Sequence, residues 1–281
     1  MTDIARLPHR ALIRITGPDW ATFLKGLCTA HIDRITADVA EERFGTVYYG
    51  AFLRPQGKMY ADCLLTVHGV EEVWLDVPLS ARPELLSRLN MYKLRAKVAI
   101  EALEQAVFVS FGGGLPDGFF YDPRGVIVGS TLGFAYGDYA ATTSDSAWTA
   151  FRIGLGLAEA GQDFGMDELY AIDANLDLLD AIDFHKGCYV GQELTSRMKR
   201  RGQIKNRLLP LSGAEALKKG AEILIGDRKV GEVVSAYGPI GFGLMRLDRL
   251  VKTHVETSGL AATVTLPEWM APHVKLGDDA A

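Results

Sequence analysis

A stretch near residue 190, HKGCYVGQELTSRMKRRG (185–202), combines several side chains that could do chemistry. Cys188 is a potential nucleophile or metal ligand, and Lys186 lies two positions before it. With a helix predicted over ELTSRM (193–198), Cys188 lies a few residues before a helix N-terminus, and both the lysine charge and that terminus favour a thiolate. The spacing therefore predicts an activated cysteine. Because free cysteines are often buried, an ordinary buried thiol in a tight turn stays open as the alternative.

A metal site made by this chain alone is not expected. The three cysteines, Cys28, Cys63 and Cys188, lie far apart and show no CxxC spacing, which zinc and iron–sulfur sites usually require. Their odd number also gives no disulfide framework and suits a reducing compartment.

The residues beside Cys188 have two interpretations each. Gly187 and Gly191 leave the backbone open to close approach by a ligand, or they only mark a tight bend. Gln192 and Glu193 could bond a flat heterocycle rich in donors and acceptors. A purely structural role for Glu193, at a helix start where the dipole stabilises an acid, is at least as good an explanation.

Six positive charges follow within residues 197–207, with no acid among them: Arg197, Lys199, Arg200, Arg201, Lys205 and Arg207. The whole chain carries a net charge of -5, so wholesale nucleic-acid binding is not expected and any anion site must be local. The cluster predicts a local anionic partner, which could be a carboxylate tail, a phosphate, RNA or an acidic protein. A solvated charged face is the alternative.

The pattern along the chain predicts mixed helices and strands, which is typical of the α+β class. Strands are expected over 11–16, 46–53, 58–67 and 72–77, and a helix within 78–96 should bury Leu85, Leu86 and Leu89. The predicted short strands further along include VIVGS (126–130), and a helix capped by Ser144 or Asp145 should follow. GLGLAEAG (154–161) lacks the spacing of a dinucleotide-binding loop.

Glycine-punctuated β segments fill the chain from residue 203 onward, the pattern of a small β barrel or sandwich. We therefore predict an α+β region over 1–205 and a barrel domain over 206–281. No run of about 18 apolar residues is present, so no membrane span is expected. The N-terminal residues lack the apolar core of a secretion signal, and the sequence is interpreted as that of a cytoplasmic protein.

The string KGCYVGQE, with the trailing RMKRRG, resembles the signature of the YgfZ family of folate-binding proteins. These are relatives of the glycine-cleavage aminomethyltransferase (T-protein), and the group includes mitochondrial iron–sulfur assembly factors. The resemblance covers most of the chain, through the segments 14–32, 54–65, 92–98, 173–193 and 231–248.

The resemblance implies a three-part ring in which two interwoven α+β units and a small C-terminal barrel surround a central tetrahydrofolate site. It implies functional roles for Cys188 and Lys186. Folate binding is implied for a wider set of residues, which comprises Asp62, Asn175, Asp177, Gly187, Tyr189, Gly191, Gln192, Glu193 and Arg197. For Asn175 and Asp177, fixing a turn is the structural alternative.

The function implied is assembly or repair of iron–sulfur clusters in client enzymes, including enzymes that modify transfer RNA, with folate and client or assembly proteins as partners. A folate-dependent aminomethyltransferase or demethylase, with Asp62 as acid–base group, is the first alternative. GKMYAD (57–62) weakens it, because Ala61 stands where the transferase has a second acid. Whether the chain is an enzyme is therefore left open. A non-catalytic module that docks a protein or RNA is the second alternative.

Overall fold

The computed structural model describes residues 1–200 and 204–277. The strands in these ranges are β1 (Asp3–Arg6), β2 (Arg10–Thr16), β3 (Val47–Leu53), β4 (Met59–Gly69), β5 (Glu72–Pro78), β6 (Ala99–Leu103), β7 (Val107–Phe111), β8 (Phe120–Tyr121), β9 (Gly133–Tyr136), β10 (Asn206–Gly213), β11 (Glu222–Ile225), β12 (Arg228–Tyr237), β13 (Ile240–Arg246), β14 (His254–Thr257) and β15 (Leu260–Val264). The helices are α1 (Trp20–Lys25), α2 (Ile32–Ala40), α3 (Arg82–Lys93), α4 (Arg124–Val128), α5 (Asp145–Leu155) and α6 (Gln192–Arg200). This irregular mixture confirms the predicted α+β class.

The first unit is a five-stranded antiparallel sheet with strand order β3-β4-β5-β2-β6. Apolar side chains meet across it, as where Ile13 of β2 lies opposite Leu75 of β5, both fully buried. Helix α3 joins the same core through Leu85 and Leu89, as the apolar spacing predicts, whereas Leu86 is only partly buried. The sequence pattern did not predict α2.

The second unit is a four-stranded sheet of order β1-β7-β9-β8. Its strand β1 precedes the strands of the first sheet in the sequence, whereas β7, β8 and β9 follow them. The two units are therefore interwoven along the chain. Ser144 caps α5 by accepting a hydrogen bond from the N–H of Ala147. The prediction of a strand over VIVGS is wrong, because most of these residues form the end of α4. Pro123 leads into this helix and Gly129 ends it at φ 73°, so local stop signals override the strand preference of valine and isoleucine.

The third unit is a closed barrel of six strands in the order β10-β13-β12-β11-β14-β15. It confirms the C-terminal barrel predicted from the glycine-punctuated strands. Leu211, Val233 and Met245 belong to its apolar core. Gly241 allows β12 and β13 to approach closely, since a Cβ at this position would lie 2.0 Å from the main-chain oxygen of Ser235.

A buried arginine lies at the start of β2 and neutralises two acids of the same sheet. The Arg10 guanidinium donates from Nε to Asp76 Oδ1 at 2.7 Å and from Nη1 to Asp62 Oδ1 at 2.8 Å. Its Nη2 donates to the main-chain oxygen of Asp76 at 2.8 Å. Because all three side chains are enclosed, each charge is stable only while its partners are in place.

A second buried ion group links the two α+β units to the barrel. Arg152 of α5 donates to Asp163 at 2.5 Å, and its guanidinium lies 3.4 Å from Glu159. Ser235 of the barrel strand β12 donates to the other oxygen of Asp163 at 2.9 Å. His9, next to Arg10, contacts Glu159 at 3.0 Å. Each unit therefore contributes a polar group to one buried junction.

The two ion groups together form one buried junction with more acids than arginines. This excess of negative charge affects the pKa values of the acids. Burial, helped by the negative charges of Asp62 and Glu159 and opposed by Arg10, raises the pKa of Asp76 to about 6. Burial also opposes the charge of Glu159, but the nearby Arg152 holds the pKa of Glu159 well below its usual range. Since Asp76 has a higher pKa in the folded chain than in the unfolded one, its contribution to stability is fullest below pH 4 and is lost as pH rises through 6.

We expect Arg10→Met to lower the free energy of unfolding by about 3–5 kcal/mol at pH 8, because two buried carboxylates lose their cation. The loss should shrink towards pH 5, where Asp76 is increasingly protonated. Urea unfolding at both pH values measures this. Arg14→Met on the same strand is the matched control, because Arg14 pairs with Glu72 and Glu101 at the surface and should change little. A loss from Arg10→Met that matches the control, or that does not change with pH, would contradict the role of the junction.

Candidate functional site

The loop that carries Cys188 spans residues 184–191 and leads into α6. Asp183 fixes its first turn, since Oδ1 accepts hydrogen bonds from the main-chain N–H groups of His185 at 2.9 Å and Lys186 at 3.0 Å. Burial acts against the charge of Asp183, but these two N–H groups and the nearby His31 hold its pKa below the usual value. The start of the loop is therefore held by an ionised carboxylate.

Lys186 anchors the loop to the connection between α1 and α2. The lysine is buried, and Nζ donates to the main-chain oxygens of Cys28 at 2.5 Å and Ala30 at 2.8 Å. The ammonium also lies 4.9 Å from the centre of the Tyr189 ring. Burial lowers the pKa of Lys186. The hydrogen bonds of Lys186 thus go to the main chain of residues 28–30. The sequence predicts instead that the charge of Lys186 acts on Cys188.

The three thiols have different environments. Cys28 and Cys63 are buried and Cys188 is exposed, which removes the alternative of a buried thiol in a turn for Cys188. A hydrogen bond with Cys63, together with the charge of Lys186, lowers the pKa of the Cys28 thiol to about 7. Burial raises the pKa of Cys63. The cysteine that solvent and partners can reach is therefore Cys188.

Gly191 lets the loop pass closely over the β3–β4 hairpin. Its φ is +81°, and a Cβ at this position would lie 2.6 Å from the main-chain oxygen of Arg54. Tyr189 is buried below the loop, and the N–H of Val190 donates to the main-chain oxygen of Gly26. Gly187, in contrast, has open space around its Cβ position. Packing within the chain thus explains Gly191, whereas Gly187 lies where the surface is open.

The residues after the loop lie on α6, which confirms the helix predicted over 193–198. Gln192 begins the helix, and Glu193 lies in its first turn, where the dipole favours an acid. Glu193 and Arg197 are exposed and line an open groove together with Tyr170. The structure therefore brings Glu193 and Arg197 together, away from Asp62.

The other predicted ligand residues are engaged within the chain. Asp62 is 2% exposed, with its oxygens facing Arg10, the hydroxyl of Tyr49 at 3.4 Å and the N–H of Ala160 at 3.4 Å. Asn175 donates to the main-chain oxygen of Leu208 at 2.8 Å, which ties the loop before Cys188 to the barrel.

Asp177 forms the charged part of the same tie. Its carboxylate accepts from Arg207 of β10 at 2.5 and 3.0 Å, and Lys199 of α6 lies 3.1 Å away. These contacts hold the pKa of Asp177 below its usual value although burial opposes them. The contacts of Asn175 and Asp177 therefore support the structural alternative, in which both residues fix a loop.

The predicted basic cluster is divided by the fold. Arg207 is buried against Asp177, while Arg197, Lys199 and Arg200 lie exposed on α6. Lys205 is exposed just before β10, and Arg201 lies outside the described residues. Within the described ranges, no group of three histidine, cysteine or acidic side chains is placed to hold a metal ion.

A cavity of about 330 Å³ lies beside the buried junction. Tyr49 connects the two, because its ring lines the cavity and its hydroxyl faces Asp62. The guanidinium of Arg124 lies 4.1 Å from the centre of that ring. The aromatic and charged residues of the lining are His31, Arg34, Tyr48, Tyr49, Tyr121, Arg124 and Asp180. The two arginines are paired within the chain, Arg34 with Asp180 at 2.6 Å and Arg124 with Asp122 at 2.7 Å, while the tyrosine rings offer faces for a flat heterocycle.

Sequence reasoning missed Arg10, Glu159 and Arg152, which surround Asp62 and Asp163. A signal was present, since each lies in a largely apolar run where an isolated charge must find a buried partner. Glu159 lies in GLGLAEAG (154–161), where the glycine spacing alone gives no indication of a buried acid.

The chain is similar along most of its length to proteins named iron-sulfur cluster assembly factor IBA57. It is 29% identical to the Mycosarcoma maydis homolog over 74% of this chain and 57% of that protein. It is 28% identical to the Aspergillus oryzae homolog over 88% of this chain and 70% of that one. The mouse protein is 27% identical, with 94% and 84% covered. The chain thus spans little more than half of the Mycosarcoma relative.

Two further comparisons concern domain and fold. Residues 205–272 match the model of the CAF17 C-terminal beta-barrel domain. The structure superposes on the glycine cleavage system aminomethyltransferase T of Bartonella henselae with a TM-score of 0.72 and 16% identity, covering 95% of this chain and 86% of that one. The aminomethyltransferase-like fold is therefore confirmed.

The prediction of a cytoplasmic protein is contradicted by these relatives. All three relatives are named as mitochondrial proteins. Among the described residues, no helix is long and apolar enough to cross a membrane.

The finer resemblance to YgfZ proteins stays a prediction. The chain is a sequence relative of the IBA57 iron-sulfur cluster assembly factors, with the aminomethyltransferase fold and a CAF17-type C-terminal barrel.

Proposed function

We propose that this chain takes part in iron–sulfur cluster assembly or repair and that Cys188 is the thiol that meets the cluster or its carrier. The observation that carries the proposal is the exposure of this one cysteine, in a loop whose neighbouring residues are fixed by Asp183, Lys186 and Gly191. A cysteine presented on a fixed loop can ligate iron as its thiolate, in place of a thiolate ligand that leaves the iron with the carrier protein.

A partner protein has to supply the rest of the ligand set. Iron–sulfur clusters are usually held by four cysteines, whereas Cys188 stands without a second exposed cysteine in the described ranges. The cluster is therefore cargo at the contact between two proteins. As the family resemblance implies, the clients would include enzymes that modify transfer RNA.

Tetrahydrofolate would occupy the cavity beside Tyr49. Its volume of about 330 Å³ lies within the usual range of ligand sites. The rings of Tyr48, Tyr49 and Tyr121 would pack on the heterocycle. Arg34, which pairs with Asp180 at 2.6 Å, would have to exchange this partner to bind a glutamate carboxylate. Bound folate supplies a one-carbon carrier. Asp62, the expected contact, lies behind Tyr49.

The burial of Asp62 and its contact with Arg10 argue against the aminomethyltransferase alternative. An acid–base group has to reach the reacting atom, but Asp62 is 2% exposed and engaged by Arg10. The docking alternative has the exposed basic face of α6 in its favour, and it differs from the main proposal in predicting that Cys188 is dispensable.

Cys188→Ser should abolish complementation of a strain that lacks this protein, because serine cannot ligate or exchange as a thiolate does. Activities of several iron–sulfur enzymes in cell extract measure the effect, and the melting temperature should stay unchanged since the side chain is exposed. Cys63→Ala is the matched control, expected to keep activity at a modest cost in stability because it removes a buried sulfur. Full activity of Cys188→Ser would contradict the proposal and favour docking alone.

Saturating tetrahydrofolate should raise the melting temperature by several degrees, since 100-fold excess over Kd adds about 2.7 kcal/mol. Val126→Trp should remove this shift. Val126 lines the cavity and is 73% exposed, so a larger side chain fills the mouth without disturbing the core. Val70→Trp, at a similarly exposed turn away from the cavity, is the control. A shift that persists in Val126→Trp would place folate elsewhere, and its absence in the unmodified chain would contradict folate binding.

A further inference from the structure

The end of α3 and the turn after it form an exposed apolar and basic surface, which we call the α3 surface (residues 91–97). Met91 is 59% exposed and Leu94 is 87% exposed, and the ring of Tyr92 between them is exposed as well. No other stretch of four residues in the described ranges exposes three large apolar side chains. A concentration of this kind marks a surface that another molecule covers.

Leu94 occupies a position where the backbone favours glycine. Helix α3 ends at Lys93, and Leu94 follows with φ +41° and ψ −104°. The N–H of Ala96 donates to the main-chain oxygen of Lys93 at 2.7 Å, so residues 93–96 form a β-turn close to type II′. The first central residue of such a turn is usually glycine. A leucine here is strained and its side chain is exposed, so packing inside the chain does not explain it.

The charge of the α3 surface is positive. Residues 85–98 contain four cations and no acid: Arg88, Lys93, Arg95 and Lys97. Arg88 pairs with Glu84 of the same helix at 2.8 Å. The other three have no acid within 4.0 Å of their side-chain nitrogens in the part of the chain that the structure describes. In a chain with a net charge of -5, this local excess of positive charge attracts an acidic surface.

The α3 surface is continuous with the loop that carries Cys188. Val190, two positions after the cysteine, lines a cleft of about 10 Å³ together with Tyr92 and Leu27. The N–H of Val190 donates to the main-chain oxygen of Gly26 at 3.2 Å, which holds the loop in this place. A specific protein contact covers about 800 Å² on each partner, far more than one cysteine offers. A protein that meets Cys188 therefore extends over the surface beside it.

We infer that the α3 surface docks the protein that exchanges the cluster with Cys188, through an acidic segment that carries apolar side chains. The inference rests on the proposed function, because that protein is the occupant. The apolar side chains of the segment cover Met91 and Leu94, and its carboxylates pair with Arg95 and Lys97. A bilayer of anionic lipids has related chemistry, but at this surface it would keep the cluster-carrying protein away from the loop.

Leu94→Gly tests the apolar contact separately from stability. Glycine suits the turn, so the melting temperature should stay equal or rise. In the strain that lacks this protein, the variant should restore iron–sulfur enzyme activities roughly fivefold less well than the unmodified chain, which is the effect of truncating an interface anchor. Leu260→Gly removes an exposed leucine from the barrel and is the matched control, expected to keep activity. Full activity of Leu94→Gly would overturn the inference.

Arg95→Glu with Lys97→Glu tests the charge of the partner. The photoreactive residue p-benzoylphenylalanine in place of Met91 should form an adduct in cells with an iron–sulfur protein, and mass spectrometry should map it to an acidic segment. The charge reversal should lower the adduct yield roughly tenfold. Arg228→Glu with Lys252→Glu, both exposed on the barrel side, is the control and should leave the yield unchanged. An adduct with lipid, with a basic segment or with a protein that holds no cluster would overturn the inference.

Cys188→Ser distinguishes this inference from the proposed function. Docking does not need the thiol, so the adduct at position 91 should still form in Cys188→Ser although activity is lost. An inactive Cys188→Ser chain together with fully active variants of the α3 surface would overturn the docking site alone. A fully active Cys188→Ser chain would overturn the proposed function, and with it the occupant inferred for this surface.

Discussion

The buried ion groups around Arg10 and Arg152 are the constraint on which the rest of this structure depends. The first sheet, helix α5 and the barrel meet there, and each contributes a charge or a hydroxyl to these ion groups. Because acids are in excess, a shift of one unit against another would leave a carboxylate buried and unpaired, at a cost of several kcal/mol. The relative placement of the three units is therefore specified by electrostatics as well as by apolar packing.

Because the acids of this junction are buried and paired, the side chains that can contact a ligand or a partner lie outside it. In an aminomethyltransferase-like fold the acid on the β3–β4 hairpin would be expected to face a ligand, but here Asp62 faces Arg10. The surfaces that remain open include the loop around Cys188, the cavity beside Tyr49 and the recess between α6 and the start of the barrel. Lys186 and Asp177 serve these surfaces indirectly, because they fix the segments before and within the loop.

The sequence predicted features that depend on local pattern. Runs rich in β-forming residues located strands of the first sheet, and glycine spacing located the barrel. VIVGS failed because its β-branched residues outweighed the turn signals of Pro123 and Gly129 in a pattern-based assignment. Partners across the fold could not be predicted in this way. Asp62 and Arg10 are 52 positions apart, so neither residue type nor spacing shows that one neutralises the other.

The difference between local pattern and partners across the fold also separates Asp173 from its neighbours Asn175 and Asp177. All three lie in one acidic, turn-rich run, and the sequence gives them equal weight. The fold separates them, because Arg207 reaches Asp177 and Leu208 accepts from Asn175, while Asp173 receives neither contact. These contacts depend on which residues of β10 the fold brings to the run before Cys188, and no local pattern in the sequence shows that.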